Sequence, residues 1–303
     1  MRSTTPSSPP PLRRVAHIDW LRTYWDFHDL DATERRFRDL LAAEANGGRR
    51  AEILTQLARV HGLRDDFDEG ERLIAEAEAA ADESAAARAR IDLEQGRLRR
   101  SGGDKEAALP LFESAFEAAR EAGEGFLAAD AAHMAALAAP DRDGFLPWTR
   151  RGIEVGETDY SARYWLAPLL NNLGWEHHDA GEHEEALTAF ERALTERERD
   201  PANTDALRLA HYAVAKALRA LDRANEAVAH AEWAVESAEA DGMPDGWYHE
   251  ELAETYAAVG RDGHAREHAV RALALLPETD PSFEADAERA SRLRHYAEAD
   301  AAG

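Results

Sequence analysis

The sequence predicts an all-α solenoid: about six paired helices in succession, with a capping helix at each end. Three observations carry this expectation. Ala, Glu, Arg, Leu and Asp dominate while Val, Ile and Thr are sparse, a composition biased toward helix formers and away from strands. A pattern of small and apolar residues recurs about every 39 positions. Within each copy those residues fall at helical spacing, so each helix buries one stripe.

The clearest copy contains Leu170, Leu173, Gly174 and His177 on one helical stripe, a turn at Gly181, and Ala186, Phe190 and Ala193 on a second. Gly174 and Ala186 have little or no side chain, so two backbones can approach there while Phe190 and the leucines fill the space beside them. The same frame recurs as Leu252, Ala253, Tyr256, Gly260, Ala265, Ala269 and Ala272, with Pro277 expected beyond the end of the helix. Val214, Ala215, Leu218, Ala227, Ala231 and Ala234 form another copy. Gly96, Gly103, Ala108, Phe112 and Ala115 form an earlier one, and Leu57, Ala58, Phe67, Gly70, Ile74 and Ala77 the first. Gly70, Ala108, Ala186, Ala227 and Ala265 are separated by 38, 78, 41 and 38 residues. The interval of 78 is two periods, so a degenerate copy is expected around Ala128 to Gly156, with Pro147 and Trp148 in its second helix.

The expected organisation is a disordered tail over 1–14, an N-terminal helical cap over 15–48, an array over 49–278, and a C-terminal capping helix with tail over 279–303. The array divides at about 49–86, 87–124, 125–160, 161–200, 201–241 and 242–278. The apolar set Trp20, Leu21, Tyr24, Trp25, Phe27, Leu30, Phe37, Leu40 and Leu41 would cover the exposed edge of the first copy.

Composition narrows function. Sixty Asp and Glu against 36 Lys and Arg give a formal charge of −24, which repels nucleic acid and anionic membrane surfaces. The 44% hydrophobic fraction is enough for a folded core. With no cysteine there is no disulfide framework, thiolate metal site or Cys nucleophile, which fits a cytoplasmic location. The start lacks the apolar stretch of a secretory signal, and no run of 18 apolar residues follows.

The copy around Leu173 resembles the tetratricopeptide repeat family, and the resemblance covers roughly residues 50 to 277. The period exceeds the usual 34 residues, which implies longer helices or loops. In this the chain is similar to kinesin-light-chain-like arrays, as in the run Leu170-Asn-Asn-Leu-Gly-Trp, and to uncharacterised bacterial members. The resemblance implies a right-handed superhelix whose concave face is built from first helices.

The stripe opposite the core on each first helix would line that groove. It comprises Arg59, Arg97 and Arg100 in the early copies, Asn171, Trp175 and His178 around Gly174, and Tyr212, Lys216 and Arg219 in the next copy. A basic and aromatic groove in so acidic a chain points to an acidic peptide or a C-terminal carboxylate. Arg can hold a carboxylate bidentately, Asn171 can pair with a peptide backbone, and Trp175 or Tyr212 can pack on an apolar side chain. The competing expectation is that these cations pair with Asp and Glu of neighbouring helices. Glu250 and Glu254 occupy the same stripe in the last copy and break its basic character.

His264-Ala-Arg-Glu267-His268 matches the inverted zinc-peptidase pattern H-x-x-E-H. It sits beside the core residues Ala265 and Ala269, with 35 residues after it to supply a third ligand, and is read as a chance match. The cluster His177, His178 and His183 is read as packing, with diverging side chains, and not as a metal site. No phosphate-binding loop or catalytic combination emerges, and the residues before Thr33 are too few for a helix-turn-helix. The sequence therefore gives no cofactor, no metal and no catalytic residue. It reads as a non-enzymatic adaptor or scaffold for a protein or peptide; the alternatives are a self-associating structural protein, forming homo-oligomers through the Trp-rich cap, or a regulator sensing a peptide signal.

Overall fold

The structure, a computed structural model, describes residues 19–298; the tail expected over 1–14 lies outside the described residues. Fourteen α-helices and no strand occur among them. They are α1 (Leu30–Ala43), α2 (Gly47–Gly62), α3 (Phe67–Ala80), α4 (Ala85–Ser101), α5 (Lys105–Ala122), α6 (Gly125–Ala138) and α7 (Arg142–Thr158). Then follow α8 (Leu166–Asp179), α9 (His183–Arg197), α10 (Thr204–Ala220), α11 (Ala224–Ala240), α12 (Gly246–Ala258), α13 (Asp262–Thr279) and α14 (Ala287–Glu298). The fold is all-α and built from antiparallel hairpins. Helices of 17 or 18 residues, such as α4, α5, α10, α11 and α13, lengthen the repeat.

The chain forms two compact units. One comprises the described residues up to Ala138 together with Glu154–Arg163; the other comprises Ala139–Ile153 and everything from Tyr164 onward. In the first, α2 packs on α3 and on α4, and α4 packs on α5 and α6. In the second, α8 packs on α9, α10 on α9, α11 and α12, and α12 on α13. First helices thus lie against the next first helix, leaving their far faces together on one side of each stack.

Helix ends follow from local chemistry. Asn46, Ser84, Asp104, Asn203 and Asp245 each accept a hydrogen bond from a free N–H of the first turn. Between the helices of a hairpin the chain passes through the left-handed region at Asp65, Gly103, Gly181, Asp222 and Gly260. Glycine meets this demand without strain and aspartate at modest cost. The next residue in each case, Asp66, Asp104, Glu182, Arg223 or Arg261, donates its N–H back to the carbonyl five residues earlier, at 2.8–3.0 Å. This one closing motif fixes the angle at which each second helix returns.

Packing inside a hairpin is set by a pair of positions 16 residues apart: Ala58 with Ile74, Gly96 with Phe112, Gly174 with Phe190, Ala215 with Ala231, and Ala253 with Ala269. Size is traded across the contact. Where the first helix has glycine the second has phenylalanine, and where it has alanine the second has isoleucine or alanine. A Cβ built on Gly96 falls 2.5 Å from the Phe112 ring, and one on Gly174 would likewise enter the Phe190 ring.

The ends close the cores. Leu21 and Phe37 are fully buried against Ile53, Leu57 and Ile74, with Trp20, Tyr24 and Trp25 packed around them. Only a single 3-10 turn, Arg22–Tyr24, precedes α1 in this region. At the other end Phe283, Ala290 and Leu293 cover Ala269, Ala272 and Leu276. One boundary differs from expectation: α13 continues past Pro277 to Thr279. Proline's fixed φ is compatible with a helix, and Asp280 N–H still bonds to the Leu276 carbonyl at 2.7 Å, so the last turn survives one missing donor.

Replacing Gly174 with alanine sets an overpacking cost of about 1–3 kcal/mol against about 1 kcal/mol from removing a helical glycine. The expected outcome is a net loss of stability, read as a lower urea midpoint, with partial recovery when Phe190→Leu is added.

Candidate peptide-binding face

On the first-helix face of the amino-terminal unit, charges pair about one repeat apart. Arg90 on α4 donates to Glu52 on α2 at 2.7 Å and pairs with Asp19. Glu52 also accepts from the Trp20 indole at 3.1 Å, and Trp25 donates to Gln56 at 2.9 Å. Arg97 donates to Glu94 at 2.6 Å and pairs with Asp130 on α6. Burial and the neighbouring Arg97 guanidinium push Arg59 below its usual range. Among the described residues Arg59 has no hydrogen-bond partner: its guanidinium packs over the stacked Trp25 and Phe27 rings, with Glu94 3.6 Å away. Arg100 has no carboxylate partner among the described residues, and its buried Nε has no hydrogen bond. A cavity of about 140 Å³ is lined by Arg59, Leu63, Glu94, Arg97, Leu98, Ser101 and Met134.

The carboxy-terminal unit repeats the arrangement. Arg219 on α10 holds Glu251 on α12 with two hydrogen bonds, at 2.7 and 2.9 Å, and pairs with Glu254 at 2.6 Å. Glu250 and Glu254 in turn accept from Arg289 and Arg292 on α14, each at 2.6 Å. Glu251 is only 2% exposed, so without these partners it would carry an uncompensated buried charge. The competing expectation is therefore realised for Arg97 and Arg219. Of the two acidic residues that interrupt the basic stripe in sequence, Glu254 is a partner of Arg219, and Glu250 pairs with Arg289 of α14. Lys216 is held more loosely: its ammonium is 3.8 Å from Glu251, whose oxygens Arg219 already engages, and 5.6 Å from the Tyr212 ring.

Beside Lys216 lies a larger cavity, about 360 Å³, lined by Trp175, Leu209, Tyr212, Lys216, Asp245, Trp247 and Tyr248. Trp175 of α8 stands edge-on to Phe190 and 6.1 Å from Tyr212, which is 5.6 Å from Tyr248. Leu209 is 43% exposed and Trp247 36%. The α12 end of this cup is set by Gly246, whose missing side chain lets the helix start close on Leu276, and by Asp245, which accepts the Trp247 N–H at 2.7 Å. Burial and the Asp245 carboxylate push the Tyr248 phenol up to about 12, and burial with Glu251 and Glu250 raises that of Tyr212. Both hydroxyls remain neutral donors at any ordinary pH.

Of the nine residues singled out in sequence, Trp175, Tyr212 and Lys216 meet in this cup, with His178 edge-on to Trp175 at 5.5 Å. Asn171 is half-buried on α8, one turn before Trp175. Arg219 lies on the carboxylate ladder, and Arg59, Arg97 and Arg100 belong to the other unit. Sequence reasoning missed Leu209, Asp245, Trp247 and Tyr248. The signal was two adjacent aromatics directly after the turn sequence Gly242-Met-Pro-Asp-Gly246.

Four other histidines are packed in two pairs. His211 and His230 meet at 2.9 Å through their Nδ1 atoms, and His249 and His268 at 3.0 Å. Each pair joins the two helices of one hairpin. His264 is exposed beside Tyr256, and no group of three or more His, Asp or Glu among the described residues could hold a metal ion. His177 turns toward Glu182 at 2.5 Å, but the His178 and His183 rings are in contact at 5.1 Å, contrary to the expected divergence, because α9 begins directly beside the end of α8. No described helix is long and apolar enough to cross a membrane.

The fold and this face define a helical-hairpin repeat protein. Residues 167–200 match the tetratricopeptide repeat family. The match spans α8 and α9, so the chain carries a tetratricopeptide repeat there within an array of helical hairpins. A Signal Transduction ATPase with Numerous Domains (STAND) protein with a tetratricopeptide repeat sensor, from Pyrococcus horikoshii, is similar at a TM-score of 0.67 and 12% identity, over 82% of this chain. The chain spans 40% of that protein's length. BtubC (BKLC) from P. vanneervenii is similar at 0.53 and 19% identity, over 74% of this chain and 92% of its own. The apo form of the quorum sensor NprR from B. thuringiensis is similar at 0.53 and 12% identity, over 89% of this chain and 83% of its own. No curated protein matches in sequence.

The paired histidines set a pH dependence. Burial and the partner ring hold His211 and His249 down to about 4, and burial lowers His230 and His268. An unfolded histidine titrates near 6.5, so below that pH the unfolded chain binds protons that the folded one refuses. Stability is complete above about 6.5 and falls as pH drops toward 4. Urea midpoints measured across this window should fall with pH, and the slope should flatten in His230→Gln/His268→Gln.

Proposed function

We propose that the chain is a non-enzymatic interaction module that holds a peptide segment of a partner protein on its first-helix face, with the aromatic cup as the main anchor. The observation that carries this reading is an open cavity of about 360 Å³ ringed by Trp175, Tyr212, Trp247 and Tyr248. An apolar side chain would enter among the rings, where desolvated aromatic contacts give most of the binding energy in protein interfaces. Two of the similar structures are described as sensors, which supports a regulator responding to a peptide signal as much as a passive scaffold.

A preference for acidic or carboxylate-bearing peptides rests on Lys216 in the cup, with Arg59 and Arg100 offering unused donors in the other unit. Arg97 and Arg219 contribute through the shape of the face, because their charges are met internally. The Trp-rich cap favours self-association less: Trp20 and Trp25 turn inward to Glu52 and Gln56, and Phe27, 52% exposed, is the one large aromatic it shows. A cytoplasmic setting belongs to the same reading, supported by the absence of cysteine.

Peptides selected on the full chain from a random library test this. Leu209→Ser and Trp175→Ala should each weaken the selected peptides by about tenfold, roughly 1.4 kcal/mol. Lys216→Ala should do so in a salt-dependent way for acidic sequences. Arg219→Ala should instead lower the unfolding midpoint, since it strands Glu251. Selected peptides indifferent to both Leu209→Ser and Trp175→Ala would remove the cup from the reading.

A further inference from the structure

Apart from the Asp245 carboxylate, the polar tips of the cup can all donate. Trp175 and Trp247 carry indole N–H groups that can only donate, and the neutral phenols of Tyr212 and Tyr248 each bring an O–H. None of the four has a hydrogen-bond partner among the described residues. Lys216 adds an ammonium whose nearest carboxylate is 3.8 Å away. An apolar wall studded with unused donors is matched by a ligand that brings carbonyl oxygens and few N–H groups of its own. Proline-rich backbone has that character: each prolyl residue keeps its carbonyl and lacks the N–H, and its ring packs on an aromatic face. The extended conformation is set before binding, so little entropy is lost on docking.

Charge adds direction. Glu250, Glu251 and Asp205 beside the cup are each neutralised by an arginine, whereas among the described residues Asp245 has no salt-bridge partner and its side chain accepts only the Trp247 N–H. At that end the cup has one unmet negative charge, in a chain of net charge −24. A basic residue flanking the proline run would find it.

We infer that the cup takes a polyproline II segment of a partner protein, with an apolar residue seated between Leu209 and Trp247 and an arginine paired with Asp245. This rests on the cup being a peptide site, and not on the carboxylate preference. The chain itself contains a sequence of this chemistry, Pro9-Pro10-Pro11-Leu12-Arg13-Arg14, which supplies a natural probe.

The test is fluorescence titration of the full chain with a labelled peptide of residues 5–16, repeated on the full chain carrying Pro9→Ala, Pro10→Ala and Pro11→Ala. The second protein removes any competition from the chain's own segment. Three further peptides are compared: the same sequence with its prolines replaced by alanine, with its arginines replaced by glutamate, and an unrelated acidic peptide with a free C-terminal carboxylate. The expected result is binding of the proline peptide about tenfold or more tighter than the alanine version. Asp245→Asn keeps the helix cap and should weaken binding several-fold, with a loss that shrinks at high salt; Leu209→Glu, at an exposed position, should abolish it. Equal binding of the proline and alanine peptides overturns the inference, as does indifference to both variants. If the acidic peptide binds at the cup and the proline peptide does not, this inference fails and the broader function stands; if no peptide binds, both fail.

Discussion

The approach of two helix backbones within each hairpin is the constraint on which the rest of this molecule depends. At Gly174 and Phe190, and again at Gly96 and Phe112, one helix gives up its side chain so that the other can insert a ring. The pairs Ala215 with Ala231 and Ala253 with Ala269 reach the same closeness by keeping both partners small. Once that contact and the left-handed turn fix the hairpin angle, first helices must meet first helices. The face that carries the candidate site is a product of this geometry.

The second layer of organisation is electrostatic. Glu52, Glu94, Asp130, Glu250, Glu251 and Glu254 are buried on the first-helix faces; Arg97 answers Glu94 from the same helix, and arginines about a repeat away answer the others. Burial of so many charges is tolerated because each carboxylate has a guanidinium in hydrogen-bonding range, which offsets the loss of water. Binding capacity is thereby concentrated where the ladder stops. In the carboxy-terminal unit that place is the aromatic cup, whose indole and phenol groups have no hydrogen-bond partner among the described residues.

Much of the fold was legible in the sequence because small residues at a fixed period leave few alternatives. Gly96, Gly174 and Ala253 marked the close contacts, and Gly103, Gly181 and Gly260 marked the turns. Asp65 and Asp222 take the same backbone conformation as those glycines and were not recognised, since aspartate also serves as an ordinary helix cap. Pro277 was read as a stop, yet α13 absorbs it. The site was legible only in part. Helical geometry placed Trp175, Tyr212 and Lys216 on one stripe, but Trp247 and Tyr248 come from the opening turn of α12, where facing depends on how Gly246 settles on Leu276. Whether Arg219 met a ligand or Glu251 depended on the offset between consecutive helices, which period alone does not give.

The carboxylate ladder also bears on how freely the modules of this chain could be exchanged. Glu250, Glu251 and Glu254 on α12 are answered on one side by Lys216 and Arg219 and on the other by Arg289 and Arg292, so α12 is keyed to both of its neighbours. Hairpins alike in backbone are consequently not interchangeable in order. Deleting the α12–α13 hairpin would leave Lys216 and Arg219 facing Arg289 and Arg292, like charges inside the stack, so removing a module here calls for compensating charge changes in its neighbours.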